Sequence, residues 1–260
     1  MLTDYEVNKR RQYYPRGLNQ PEGCFRFSID ALLLAAFSTP APKSKILDLG
    51  CGCGVVGFGL LFNRPEAEAT GVDIEPDLIK CAQENAQMLG LEERYRAIAL
   101  DLKKISKSCL KPESFDAVVS NPPFRRKDQG RLPDREMRTG ALFESHACLE
   151  DFIKAAAFAL KNQGGFYCIF SSERLAELFL LLQKYKLEPK LLQPLQARAH
   201  KECGLILLKA VKNGRPGLKL KAPILVYELG EKGAQPSLTK EILAFCPWLG
   251  CNAKHEVKAG

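Results

Sequence analysis

Ser120-Asn121-Pro122-Pro123-Phe124 is the stretch of this sequence richest in chemistry. An exocyclic amine on a nucleobase is a poor nucleophile, because its lone pair is delocalised into the ring. Two acceptors in the plane of the amine hold both N–H bonds and let the nitrogen become more tetrahedral. The side-chain oxygen of Asn121 and the backbone carbonyl of Pro122 are the candidate acceptors. Proline fixes φ, so carbonyls in such a turn are preorganised before reaction. Phe124 supplies a flat apolar face on which a planar ring stacks. No strong base is needed beforehand, since the substituted nitrogen becomes acidic and loses its proton afterwards.

A second cluster of chemistry lies upstream. Gly52, Gly54 and Gly57 spell G-x-G-x-x-G, which alone announces NAD as readily as any other nucleotide. Asp73, placed to end the next strand, suits a ribose-gripping acid in either case. The pattern begins earlier, however, as Asp48-x-Gly50-x-Gly52-x-Gly54. It resembles the first motif of class I methyltransferases, whose acid faces the methionine end of S-adenosylmethionine. That end carries a cationic amine, whereas the pyrophosphate of NAD would be repelled by a carboxylate. Asp101 closes the third strand segment, where those enzymes place an acid or amide near the adenine amine. S-adenosyl-L-methionine is therefore the expected cofactor, contacted by Asp48, Gly50, Gly52, Gly54, Asp73 and Asp101. The cysteines show no CxxC pair with metal-ligand spacing, and no metal is expected.

The tetrapeptide matches the [N/D]-P-P-[Y/F/W] motif of methyltransferases acting on adenine N6, cytosine N4, guanine N2 and protein glutamine. The whole chain, over roughly residues 12 to 245, resembles the bacterial valine-tRNA adenine-37 N6-methyltransferases. The resemblance includes Gly23 to Ala35 before the first strand, the glycine loop, Asn121 to Phe124, Pro223 to Tyr227 and Leu238 to Phe245. Where that family often has an Ala-Arg-x-Glu stretch, this chain has Ala141-Leu142-Phe143-Glu144 and lacks the Arg. The resemblance implies N6 methylation of an adenine in tRNA. Alternatives are a protein glutamine N5-methyltransferase, an rRNA guanine-N2 methyltransferase, or a non-catalytic RNA-binding module. Charge placement favours RNA. From Asn121 to Gly140 there are six basic against three acidic residues, and from Lys161 to Lys221 twelve against four. Arg125, Arg126 and Lys127 follow the turn directly and are the candidate phosphate contacts.

These residues need a sheet to bring them together. Strands are expected at Lys45 to Gly50, Ala69 to Asp73, Tyr95 to Asp101, Phe115 to Ser120 and Phe166 to Ser171. Helices are expected at Ser28 to Phe37, Val55 to Asn63, Pro76 to Leu89, Leu149 to Lys161 (ended by Gly164-Gly165) and Glu173 to Lys186. Leu187 to Leu195 and Cys203 to Val211 complete a pair of closing strands. The alternation implies an α/β fold: a doubly wound, mostly parallel seven-stranded sheet with helices on both faces. The expected organisation is a lead-in over 1 to 44 with one short helix packed on the catalytic domain, that domain over 45 to 245, and a frayed tail over 246 to 260. In such sheets ligands bind at the C-terminal strand ends, where each candidate residue falls.

A net charge of +8 over 260 residues suits a polyanionic partner. Ten cysteines without a pairing pattern fit a reducing compartment, and the expected location is the cytoplasm. The charged N-terminus lacks a signal peptide's apolar core, and no run is long enough to span a bilayer, so no membrane partner is expected.

Overall fold

The computed structural model describes residues 4–21, 27–124, 147–228 and 237–252. Its centre is a sheet of β1 (Lys45–Leu49), β2 (Glu68–Asp73), β3 (Tyr95–Ala99), β4 (Phe115–Ser120), β5 (Leu160–Ser171), β6 (Leu187–Gln196), β7 (Cys203–Lys212), β8 (Lys219–Leu220) and β9 (Ile224–Leu225). The order is β3-β2-β1-β4-β5-β7-β6-β8, with β9 also on β6. The first five strands pair in parallel, and β7 runs antiparallel to both β5 and β6. The two-residue strands β8 and β9 extend the expected seven strands to nine.

Eight helices are described: α1 (Asp4–Gln12), α2 (Ile29–Phe37), α3 (Val55–Asn63), α4 (Pro76–Met88), α5 (Leu149–Ala159), α6 (Leu175–Lys184), α7 (Lys240–Phe245) and α8 (Trp248–Asn252). Alternate residues of each strand point to opposite faces. Ile46, Ala117, Val119 and Ile169 join one core with α2, α3 and α4, while Leu47, Leu49, Val118 and Phe170 join a second with α5 and α6. Apolar side chains on both faces are what a parallel sheet covered on both sides requires.

Three expectations change. The lead-in carries two helices, because Asp4–Gln12 is a further one; Arg11 ties it to the end of α4, donating from Nε to the Leu89 carbonyl and from Nη2 to that of Gly90, both at 2.8 Å. Helix α5 stops at Ala159, ahead of Gly164-Gly165. Its last carbonyls are taken by the Glu113 and Ser114 amides and by the Lys212 ammonium, which donates to Ala157 and Leu160. No glycine terminator is needed, since the open C-terminal carbonyls already have donors. Gly164-Gly165 instead lie inside β5, at a register shift against β4. The tail is not frayed through 252. Cys246 is 0% exposed and Leu249 1%, Cys246 Sγ meets the Leu32 carbonyl at 3.5 Å, and Trp248 packs edge-on against Tyr14. Cys246, Trp248 and Leu249 are the apolar contacts that place this segment on the core.

Candidate active site

Parallel pairing brings the candidate residues to one edge. Leu49 of β1 is register partner to Val72 of β2 and Ser120 of β4, and Asp73 is partner to Ala99 of β3. The chain therefore leaves these four strands side by side as Gly50, Ile74, Leu100 and Asn121. Ser120, fully buried, donates from Oγ to the Leu49 carbonyl at 3.1 Å, locking the start of the Asn121 turn to the start of the glycine loop.

The loop itself is a run of left-handed glycines. Gly50, Gly52 and Gly54 have φ of 72°, 54° and 93°, where any other residue is strained. At Gly52 a Cβ would have nothing within 4 Å, so the Cα of this glycine faces open space. At Gly57, by contrast, a Cβ would lie 2.6 Å from Tyr95 Cε2, so this glycine lets α3 sit against β3.

Two buried acids flank the loop. Asp73 is 3% exposed; its Oδ2 accepts from the Gly52 amide at 2.9 Å and its Oδ1 from Glu75 at 3.1 Å. Burial raises its pKa, against the pull of those amides. Asp48 is 1% exposed and lies below the loop, its Oδ2 accepting from the Gly57 amide at 3.1 Å. Burial pushes its carboxyl up to about 7; the Gly57 hydrogen bond works against the rise and the charge of Asp73 adds to it. Asp101 caps a 3-10 turn over Leu102–Lys107, accepting from the Lys103 amide through Oδ1 at 3.0 Å. A carboxylate has about four lone-pair sites, so Asp73 and Asp101 both keep acceptor capacity beyond these contacts.

Several supporting residues escaped the sequence reading because they act from a distance. Tyr14 donates its hydroxyl to the Val55 carbonyl. Asn85, fully buried on α4, donates to the carbonyls of Asn19 and Cys53 at 3.0 and 3.1 Å, stapling lead-in to loop. Neither residue stands in a recognisable motif. The thiols of Cys51 and Cys53 are buried beside the loop and burial raises their pKa, Cys53 to about 12, which keeps them protonated and unreactive.

In the turn, Pro122 is buried and Asn121, Pro123 and Phe124 are partly exposed. The Phe124 ring meets Phe170 edge-on, centroids 5.8 Å apart at 83°. Arg125, Arg126 and Lys127 lie outside the described residues, as does the Ala141 to Glu144 stretch.

A left-handed glycine loop whose Gly52 Cα faces open space, two buried carboxylates beside it and Asn121-Pro122-Pro123 on the neighbouring strand end form one set of groups at one edge of the sheet. A family model of the methyltransferase small domain matches residues 28–185. The chain belongs to that family. A tRNA1(Val) (adenine(37)-N6)-methyltransferase from Porphyromonas gingivalis is 34% identical over 191 residues, 71% of this chain and 74% of the relative. A release factor glutamine methyltransferase from Agrobacterium fabrum is 36% identical over a shorter stretch, 42% of this chain and 37% of the relative. In fold the chain resembles a crystal structure described as a "predicted O-methyltransferase" from Agrobacterium tumefaciens, with a TM-score of 0.67 at 20% identity over 84% of this chain and 96% of that one. The enzyme is an S-adenosylmethionine-dependent methyltransferase on a mostly parallel α/β sheet. Among the described residues no helix is long and apolar enough to cross a membrane, and no group of three His, Cys, Asp or Glu side chains could hold a metal ion.

Proposed function

We propose that the enzyme methylates N6 of an adenine in tRNA. The observation that carries this reading is the Asn121 to Phe124 turn, set beside the glycine loop by the Leu49–Ser120 pairing, in a chain whose likeness to a tRNA adenine-N6 enzyme runs over 71% of its length. The protein glutamine reading uses the same turn. The likeness that favours it is shorter, and it does not call for the basic residues clustered after the turn.

When bound, S-adenosylmethionine supplies an electrophilic methyl group. The chain's own residues do the rest. Gly50, Gly52 and Gly54 let backbone approach the cofactor, and Asp73 holds ribose hydroxyls with its remaining lone pairs. Asp101 has the same capacity toward an adenine amine. Asp48 supports the loop through Gly57 and, when ionised, would supply negative charge toward the cationic methionine end of a bound cofactor. Asn121 Oδ1 and the Pro122 carbonyl accept the two N–H bonds of the target amine, aiming its lone pair along the transfer line. Phe124 stacks on the base. After transfer the amine is acidic enough to lose its proton to water.

Incubation with labelled S-adenosylmethionine and total tRNA lacking the modification, followed by nucleoside analysis, tests the reading. N6-methyladenosine is the expected product. Label in release factor protein with none in RNA would replace it with the glutamine reading.

Cofactor binding should also depend on pH. Asp48 titrates near 7, well above an ordinary Asp, so its charge is present above that pH and lost below it. The cationic end of the cofactor favours the ionised form, so affinity should fall roughly two- to tenfold from pH 7.5 to 5.5. Calorimetry at both pH values checks this. Asp48→Asn should remove the dependence, and a dependence that survives it would assign the titration to another group.

A further inference from the structure

We propose that Arg174 is a positioning residue for the catalytic turn, holding its Phe124 end in place through a guanidinium shared with Glu177. The inference rests on the reading of Asn121 to Phe124 as the turn that receives the amine.

The entry to that turn is fixed by strand pairing and by Ser120. Its exit has no such pairing, since β4 ends at Ser120. There the Arg174 side chain reaches back across 50 residues and donates from Nη1 to the Phe124 carbonyl at 3.0 Å. Its other edge forks onto Glu177, from Nε to Oε2 and from Nη2 to Oε1, each at 2.9 Å. The same guanidinium lies over the Phe170 ring, 5.1 Å from its centroid, and that ring takes the edge of Phe124. Arg174 thus sets the carbonyl of Phe124 directly and its ring through Phe170.

Three features separate this arrangement from a surface ion pair at a helix start. The Arg174 side chain is only 11% exposed. One face of the fork is directed at a distant backbone acceptor and not at solvent. All three nitrogens donate to protein acceptors, two to one carboxylate and one to a carbonyl, a pattern that suits a planar fork and that a lysine ammonium does not copy. A stacking face that is free to swing would present the base in many orientations, and small misplacements of reacting groups cost large factors in rate.

The test uses the full chain. Arg174→Ala should leave S-adenosylmethionine affinity within about twofold, since no cofactor contact is removed, and should lower kcat about 10- to 100-fold on tRNA lacking the modification. Arg174→Lys should not restore kcat, because charge without the fork does not hold both partners. Glu177→Gln should give a smaller loss in the same direction, non-additive with Arg174→Ala. A substrate-free arm keeps the result apart from the substrate assignment: Phe124→Trp introduces an indole at the turn beside the single native tryptophan, Trp248. Its acrylamide quenching should rise when Arg174→Ala or Glu177→Gln is added, while the same changes leave Trp248 quenching alone. Absence of tRNA methylation by the wild type would count against the substrate reading only, with the quenching arm still deciding the role of Arg174. Unchanged kcat and unchanged quenching in Arg174→Ala overturn the proposal. So does full rescue by Arg174→Lys with a KM-only defect that follows salt, which would make Arg174 a phosphate ligand. Should Arg174→Ala fail to fold, Glu177→Gln alone decides: unchanged kcat and quenching in that variant overturn it equally.

Discussion

Asn121→Ala should slow methyl transfer by about 10²–10³ while leaving cofactor affinity nearly intact, because one preorganised acceptor for the target amine is lost and the glycine loop is untouched. The separation is sharp because Asn121 leaves β4 as Gly50 leaves β1: the two sites are adjacent but carried by different strands. Phe124→Ala tests the other half of the turn. It should weaken substrate binding by roughly 1–3 kcal/mol through lost stacking, and Phe124→Tyr should be tolerated because the ring face is kept. Single-turnover kinetics with saturating cofactor, alongside calorimetry, distinguishes the two roles. Full activity of Asn121→Ala on every RNA and protein substrate tried would sink the assignment of this turn as catalytic.

Asp73→Ala should weaken S-adenosylmethionine binding about 10- to 100-fold. A hydrogen bond to a charged group is worth roughly 1.5–3 kcal/mol, and each 1.4 kcal/mol is tenfold. The loss has a second source, since the amides of Gly52 and Glu75 lose their acceptor and the loop loses one of its anchors. Asp73→Asn keeps one oxygen acceptor and should fall between the two. The measurement is calorimetry on protein of matched thermal stability. Affinity within about twofold of wild type in Asp73→Ala would remove this acid from the cofactor site. Binding of NAD in preference to S-adenosylmethionine would count against the whole loop assignment.

The parts of the site that could be read from the sequence are those whose chemistry is local. Proline and glycine set backbone conformation within a few residues, so Asn121 to Phe124 and Gly50 to Gly54 speak for themselves. Ser28 before α2 and Pro76 at the start of α4 mark helix beginnings for the same reason. Apolar runs followed by turn residues located the first five strands, and strands alternating with helices made a parallel sheet the expected result.

What the tertiary structure alone decided lies where partners come from far along the chain. Helix α5 ends where Lys212 supplies a cation to its carbonyls, and no residue near Ala159 signals it. The segment from Cys246 reads as an end because two buried side chains and one partly buried tryptophan carry little weight in a composition window, yet they pack on the core once α2 is there to receive them. Asp48 reads as an acid from its letter; only burial beneath the loop moves its titration to about 7. Arg174 reads as one more basic residue after β5, and the proposed role for it arises only because the fold brings the Phe124 carbonyl within 3.0 Å of its guanidinium. Sequence by itself determined the fold class and singled out the glycine loop and the Asn121 to Phe124 stretch proposed as the site, since backbone constraint and periodicity are short-ranged. Folding decided which side chains reach that stretch and how far burial raises the titration of the buried acids Asp48 and Asp73, since solvation and hydrogen-bond geometry depend on neighbours that only the assembled sheet provides.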